Sequence, residues 1–129
     1  MSHTIVHFEI PADNPEKLKQ FYENVFGWKI EKSPGPIDYW MISTVPVDEQ
    51  GKLTEMGVNG GMMKRQNPEH KITNYILVES VDEYAKKIED AGGKIIVPKT
   101  AVPSVGYWAM FVDPDGNVLA ILEEDKEAR

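Results

Sequence analysis

Residues 21–30 read FYENVFGWKI, and residues 84–95 read YAKKIEDAGGKI. Each is the end of an amphipathic helix, a glycine stop and the first residues of a strand. In the first, Leu18, Phe21, Tyr22, Val25 and Phe26 fall at i, i+3, i+4, i+7 and i+8, one face of a helix over 14–26. Asn14 is placed to cap it, Pro15 suits its first position and Gly27 its left-handed end. In the second, Val81, Tyr84, Ala85, Ile88 and Ala91 make the apolar side of a helix over 81–91, with Ser80 and Glu83 as a capping box and Gly92 as the stop.

The flanks repeat as well. GWKI starts at Gly27 and GGKI at Gly92; DYWMI starts at Asp38 and GYWAMFV at Gly106. Each helix is preceded by a strand, TIVHFEI or TNYILVE, and followed by three strand candidates: 28–31, 37–43 and 56–63, then 94–97, 107–112 and 117–123. Residues 34–36, 50–51 and 113–116 read as turns. The pattern is strand-helix-strand-strand-strand, twice: module one over about 3–64, a linker at about 65–71 and module two over about 72–124 of a single 1–129 domain, an α+β fold of two βαβββ modules.

The bulk composition narrows the function. A chain of 129 residues with 41% apolar and 27% charged residues has the profile of one soluble globular domain. A net charge of −7 leaves no concentrated basic patch for nucleic acid or an anionic membrane, so neither is an expected partner. Without cysteine there is no thiolate metal site, cysteine nucleophile or disulfide framework. No apolar run is long enough to span a membrane, the N-terminus lacks a signal-peptide pattern, and a cytoplasmic location is expected.

With FYENVFGW at 21–28 following a strand that holds HFEI, SVDEYAKKIEDAGG at 80–93 and FVDPDGNVLAILE at 111–123, the chain resembles the vicinal oxygen chelate superfamily. That group includes glyoxalase I, bleomycin-resistance proteins, extradiol dioxygenases and methylmalonyl-CoA epimerase. The resemblance implies curved mixed sheets around a cleft, and commonly a homodimer. In metal-binding members, the first and last strands of each module each supply one inward-facing ligand, and the metal polarises a substrate with adjacent oxygens.

Family spacing puts these ligands at His7, seven residues before Asn14, at Thr73, and at Ala120, four past Gly116, with Glu55 or Asn59 as the choices for the fourth strand. A hydroxyl is a poor ligand for a divalent transition ion and an alanine is none. Glu9 and Glu123 are conceivable substitutes, but Glu123 points away from Ala120 on a regularly alternating strand. No metal site and no cofactor are therefore expected, with a rearranged divalent-metal site as the alternative.

On the first strand, Phe8 and Ile10 share the face under the helix, and Ile5, His7 and Glu9 the other. His7 and Glu9 are the catalytic candidates. The expected ligand-binding set is His7, Glu9, Tyr39, Met41, Asn59, Thr73, Tyr75, Tyr107 and Phe111. Tyr107 and Phe111 enter on the premise that a tight hairpin at 113–116 sets Ala120 across from Ala109; a one-residue shift favours Trp40 and Trp108 instead. Gly57, Gly60 and Gly61 suggest a bulge, and the EEDKEAR tail a solvated end. The leading functional reading is a glyoxalase/bleomycin-resistance-like protein that binds a small organic molecule without the family metal. The alternatives are a metal-dependent lyase, isomerase or dioxygenase, and a protein-interaction module.

Overall fold

The computed structural model describes residues 2–129. Its elements run β1 (Ile5–Ala12), α1 (Pro15–Phe26), β2 (Lys29–Lys32), β3 (Tyr39–Ser43), β4 (Gly60–Lys64), β5 (Thr73–Leu77), α2 (Val81–Asp90), β6 (Lys94–Val102), β7 (Gly106–Val112) and β8 (Val118–Glu124). This is the βαβββ order, twice. The chain divides into two compact units: an N-terminal unit, His7–Ile72, and a C-terminal unit, Thr73–Arg129 together with residues 2–6.

In the N-terminal unit the strands lie in the order β2-β3-β4-β1. β1 runs parallel to β4, and the other pairs are antiparallel. Asn14 Oδ1 accepts the Lys17 N–H at 3.2 Å, and Gly27 closes α1 at φ 71°, where only glycine sits without strain. Leu18 and Tyr22 of α1 pack with Phe8 and Trp28 on a core of Ile10, Ala12, Ile30, Trp40, Ile42 and Met62. Tyr22 stacks on Trp28 at 4.8 Å. The one polar atom of Trp40, Nε1, donates to Glu16 on α1 at 2.9 Å, so its indole is buried without an orphaned donor.

The C-terminal unit repeats the order as β5-β8-β7-β6. Ser80 Oγ accepts the Glu83 N–H at 3.1 Å at the start of α2. Val81, Val78, Ala109, Phe111 and Ile121 form its core, with Ile76, Tyr84, Ile88 and Ile95 packed against them. The first residues of the chain join this unit: Leu77 donates to the Thr4 carbonyl, and His3 meets Glu79 at 3.1 Å.

Five expectations change. Residues 56–59 are not strand, because β4 starts at Gly60, whereas β6 extends to Val102 through two register shifts. The β3–β4 pairing has no bulge; instead a Cβ on Gly60 would overlap the Phe8 carbonyl and crowd its ring, so the glycine answers a close approach. The tail is not a solvated end throughout, since Ala128 is buried and its carbonyl accepts the Ser104 N–H at 3.0 Å. The β7–β8 hairpin pairs Val112 with Val118, so its loop is 113–117 rather than 113–116. Asp113 draws Asn117 into that loop: its Oδ1 accepts the Asn117 N–H at 2.9 Å and its Oδ2 the side-chain amide at 3.0 Å.

Candidate functional site

The helix claims one face of each four-stranded layer, so the chemistry has to be sought on the other. In the N-terminal unit, Ile10, Met62, Trp40 and Ile42 go to the α1 side. Alternation then puts His7 and Glu9 of β1, Gly61 of β4, and Tyr39 and Met41 of β3 on the helix-free face. Glu9 is paired with Gly61, and Gly61 with Met41. His7, Glu9 and Tyr39 are half-buried, and Met41 is 50% exposed.

The defining contact is between His7 Nε2 and the Tyr39 hydroxyl, 3.0 Å apart. Tyr39 is in register with Met63, so its ring reaches His7 by lying across β4. Gly61 makes this geometry available: a Cβ there would overlap the phenol oxygen and Cζ of Tyr39 and stand 2.6 Å from Cε2. Burial pushes the His7 imidazole below its usual value, which keeps it neutral at pH 7. A neutral imidazole has one acceptor and one donor nitrogen, and Tyr39 engages one of them.

Asn59 is not offered to a ligand. Its Oδ1 accepts from the backbone N–H groups of Thr44 and Val45 at 2.7 and 3.0 Å, and its Nδ2 donates to the Val45 carbonyl at 3.1 Å. It ties the ends of the loop over 45–58 together. Glu55 is exposed in that loop, outside β4.

In the C-terminal unit, Thr73 and Tyr75 are buried, and Tyr75 is paired with Ala120. The longer hairpin loop sets Ala120 across from Met110, not Ala109. This corrects the expected side of two aromatics: Tyr107 and Phe111 lie with Ala109 among the residues packed under α2, and Trp108 and Met110 take the helix-free face. Glu123, on the α2 side, accepts the Val81 N–H at 2.9 Å and so caps the first turn of that helix.

The register also identifies the fourth-strand position that spacing alone had left to Glu55 or Asn59. Ala120 pairs with Met110 and Tyr75; Gly61 pairs with Met41 and Glu9. Gly61 is therefore the counterpart of Ala120. The usable signal is the alignment of Met41–Ile42 with Met110–Phe111 in place of Tyr39–Trp40 with Tyr107–Trp108. At the four positions that correspond to the family's ligands, this chain carries an imidazole at His7, no side chain at Gly61, a hydroxyl at Thr73 and a methyl at Ala120. This donor set does not fit a divalent transition ion.

A shallow groove opens on the α1 side, where Leu18, Phe21 and Ile72 flank Lys17 and Arg65. Its Arg65 is committed to Asp13 at 3.0 Å and to the His70 carbonyl, so the groove gathers no reactive group.

The model of the Glyoxalase/Bleomycin resistance protein/Dioxygenase superfamily matches residues 4–121. CFP32 of Mycobacterium bovis, which bears the name of a glyoxylase, is 28% identical over 127 residues, covering 93% of this chain and 44% of its own length. The anthracycline biosynthesis protein DnrV of Streptomyces peucetius is 25% identical over 132 residues, covering 88% of this chain and again 44% of its own. The chain thus spans less than half the length of these relatives. Among solved structures, one described as an NAD-dependent benzaldehyde dehydrogenase from Legionella pneumophila superposes with a TM-score of 0.60 at 26% identity, over 92% of this chain and 98% of that one. Streptomyces coelicolor methylmalonyl-CoA epimerase, in complex with 2-nitronate-propionyl-CoA, gives 0.71 at 11% identity, over 100% and 99%. At that identity the likeness is one of fold.

Proposed function

We propose a small-molecule-binding role for this chain, which belongs to the Glyoxalase/Bleomycin resistance protein/Dioxygenase superfamily. The ligand surface is the helix-free face of the N-terminal unit. The observation that carries this reading is the His7–Tyr39 contact at 3.0 Å on a half-open face that also holds Glu9 and Met41. A neutral imidazole, a phenol and a carboxylate offer donors and an acceptor to a ligand's carbonyl or hydroxyl oxygens. The Tyr39 ring and the adaptable thioether of Met41 supply apolar contact. His7 and Glu9 are the polar side chains that β1 contributes to this set. No metal enters the reading, because Gly61 and Ala120 bring no donor and Thr73 a poor one.

The protein acts as a homodimer. On α1, Phe21, Val25 and Phe26 are 52%, 57% and 61% exposed, an apolar surface that a second copy would cover. Sedimentation at micromolar concentration checks this, and a species of 14.6 kDa alone would overturn it.

Native mass spectrometry of freshly purified protein tests the binding role. An organic adduct that is retained by a Lys86→Ala control and lost in His7→Ala supports it. Identical adducts in the two variants would place the ligand elsewhere. One metal ion per chain, lost in His7→Ala, would favour a metal-dependent lyase, isomerase or dioxygenase.

A further inference from the structure

Asn59 is followed by Gly60, the neighbour beside which an asparagine loses ammonia most readily. The side-chain carbonyl carbon lies one ring closure from the next backbone nitrogen, and glycine, lacking a Cβ, neither shields that nitrogen nor restricts its approach. The other asparagines are poorer candidates. Asn14 and Asn67 precede proline, which has no N–H; Asn24 and Asn117 precede valine, and Asn74 precedes tyrosine. In the folded chain both reacting groups are engaged. Asn59 Oδ1 accepts the Thr44 and Val45 N–H groups at 2.7 and 3.0 Å and the Thr44 hydroxyl at 3.2 Å, and Nδ2 donates to the Val45 carbonyl at 3.1 Å. Gly60 is paired with Phe8 on β1 and Ile42 on β3, and a Cβ on it would overlap the Phe8 carbonyl.

We propose that Asn59–Gly60 is a latent deamidation site, masked by the closed base of the 45–58 loop and released when that base opens. The loop is exposed over most of its length and has contacts of its own: the Val47–Leu53 bridge, and the Asp48 carboxylate, which accepts the Gln50 and Lys52 N–H groups at 2.9 Å. It keeps its shape while its base opens locally. With the base open, the Gly60 nitrogen attacks Asn59 Cγ, the Cγ–Nδ2 bond breaks, and ammonia leaves with the proton of the Gly60 N–H. Water then adds to one of the two carbonyls of the succinimide and breaks its bond to the Gly60 nitrogen, which leaves aspartate or isoaspartate. Neither product restores the latch. Aspartate sets an oxygen against the Val45 carbonyl in place of the Nδ2 donor. Isoaspartate lengthens the main chain just before the glycine that fits against Phe8. One opening of the loop is thereby converted into a permanent loosening of its base.

Peptide mass spectrometry of the full chain, aged at mildly alkaline pH, tests this without any ligand. Deamidation replaces NH2 by OH, and the tryptic peptide 53–64 holds no amide side chain except that of Asn59. In the chain unfolded with guanidinium, residue 59 should convert faster than any other asparagine. In the folded parent it should convert about a hundredfold more slowly, the ratio set by opening the hydrogen bonds of one part-buried amide. Thr44→Val removes the hydroxyl that donates to the Val58 carbonyl at 2.6 Å, so it should raise the folded rate and leave the unfolded rate alone. Gly57→Ala should do the same, since its Cβ would stand 2.6 Å from Val45 Cγ1. Ile121→Val, which weakens the core of the other unit, should leave the folded rate where it was. Converted protein should show faster hydrogen exchange over residues 45–58. Equal rates in folded and unfolded parent would overturn the proposal, as would a faster asparagine elsewhere in the unfolded chain. So would folded loop variants that both convert at the parental rate, an equal acceleration in Ile121→Val, or converted protein with parental exchange in the loop. The comparison of folded with unfolded parent needs no variant, so the test stands even where a variant fails to fold.

Discussion

The Asn59 side chain and the Val45 backbone are joined in both directions: the Val45 N–H donates to Oδ1 at 3.0 Å, and Nδ2 donates to the Val45 carbonyl at 3.1 Å. Thr44 adds its own N–H to the same oxygen at 2.7 Å, and its hydroxyl donates to the Val58 carbonyl at 2.6 Å. The loop between β3 and β4 is thus closed at its base by one amide. Asn59→Ala leaves two part-buried N–H groups and a carbonyl without their partner, and should cost about 2–3 kcal/mol. Asn59→Asp keeps the acceptor and sets an oxygen against the Val45 carbonyl, so a smaller loss of about 1–2 kcal/mol is expected. Urea unfolding gives both values, and hydrogen exchange should accelerate across residues 45–58 in Asn59→Ala.

Two methionines of one short stretch should behave oppositely. Met62 is fully buried in the N-terminal core, and Met56 is 98% exposed in the loop. Met62→Ala removes buried volume that the surrounding Ile10, Trp40 and Ile42 cannot refill, at about 2–5 kcal/mol. Met56→Ala should lie within about 0.5 kcal/mol of the parent. Chemical denaturation of the two variants side by side is the check; equal losses would contradict the assigned start of β4.

The helices, their caps and the doubled strand order were legible because each rests on local chemistry: a helical stripe, an Asn or Ser before it, a glycine after it. His7 and Glu9 were placed by alternation along a single strand. What escaped depended on register between strands. Four or five residues in the 113–117 loop differ by one, and the difference moves Tyr107 and Phe111 under α2 and brings Trp108 and Met110 to the other face. The deciding force is Asp113 drawing in Asn117, and Asp–Pro–Asp–Gly–Asn fits either loop length as a word. Gly61 escaped for a related reason. A glycine carries no chemistry to read, and its meaning lies in a tyrosine more than twenty residues upstream.

The buried His7 gives stability a particular pH dependence. Its imidazole titrates below 6.5 when folded, because burial disfavours the cation, and near 6.5 when unfolded. Between those values the unfolded chain binds the proton more readily, so stability falls as pH drops below about 6.5 and is level above it. Asp38, Glu79 and Asp113 are also lowered in the folded state, by Lys32, by a backbone N–H and by Asn117 respectively. Their stabilisation is lost only as pH falls below the ordinary carboxylate range. Urea midpoints measured from pH 7.5 to pH 5 should therefore decline in the unaltered protein and flatten in His7→Gln. An unchanged slope in that variant would assign the acid sensitivity to other groups.

A divalent ion should bind weakly at the family position. His7 is the one nitrogen ligand the four positions offer, and its Nε2 is engaged by Tyr39. Gly61 and Ala120 supply no atom, and Thr73 supplies a neutral hydroxyl. Glu9 lies two residues along the same strand, so it can reach an ion from the side His7 occupies and cannot enclose it. Glu123 is spent on the start of α2. A catalytic zinc site takes three protein ligands and an open position, and one nitrogen with one carboxylate falls short of that. Elemental analysis after growth in metal-supplemented medium and extensive dialysis should find zinc, nickel, manganese and iron each well below one per chain. Tyr39→Phe removes the hydroxyl beside Nε2 without adding a ligand, so it should leave that result unchanged. About one ion per chain, lost in His7→Ala, would restore metal-dependent chemistry as the reading of this face.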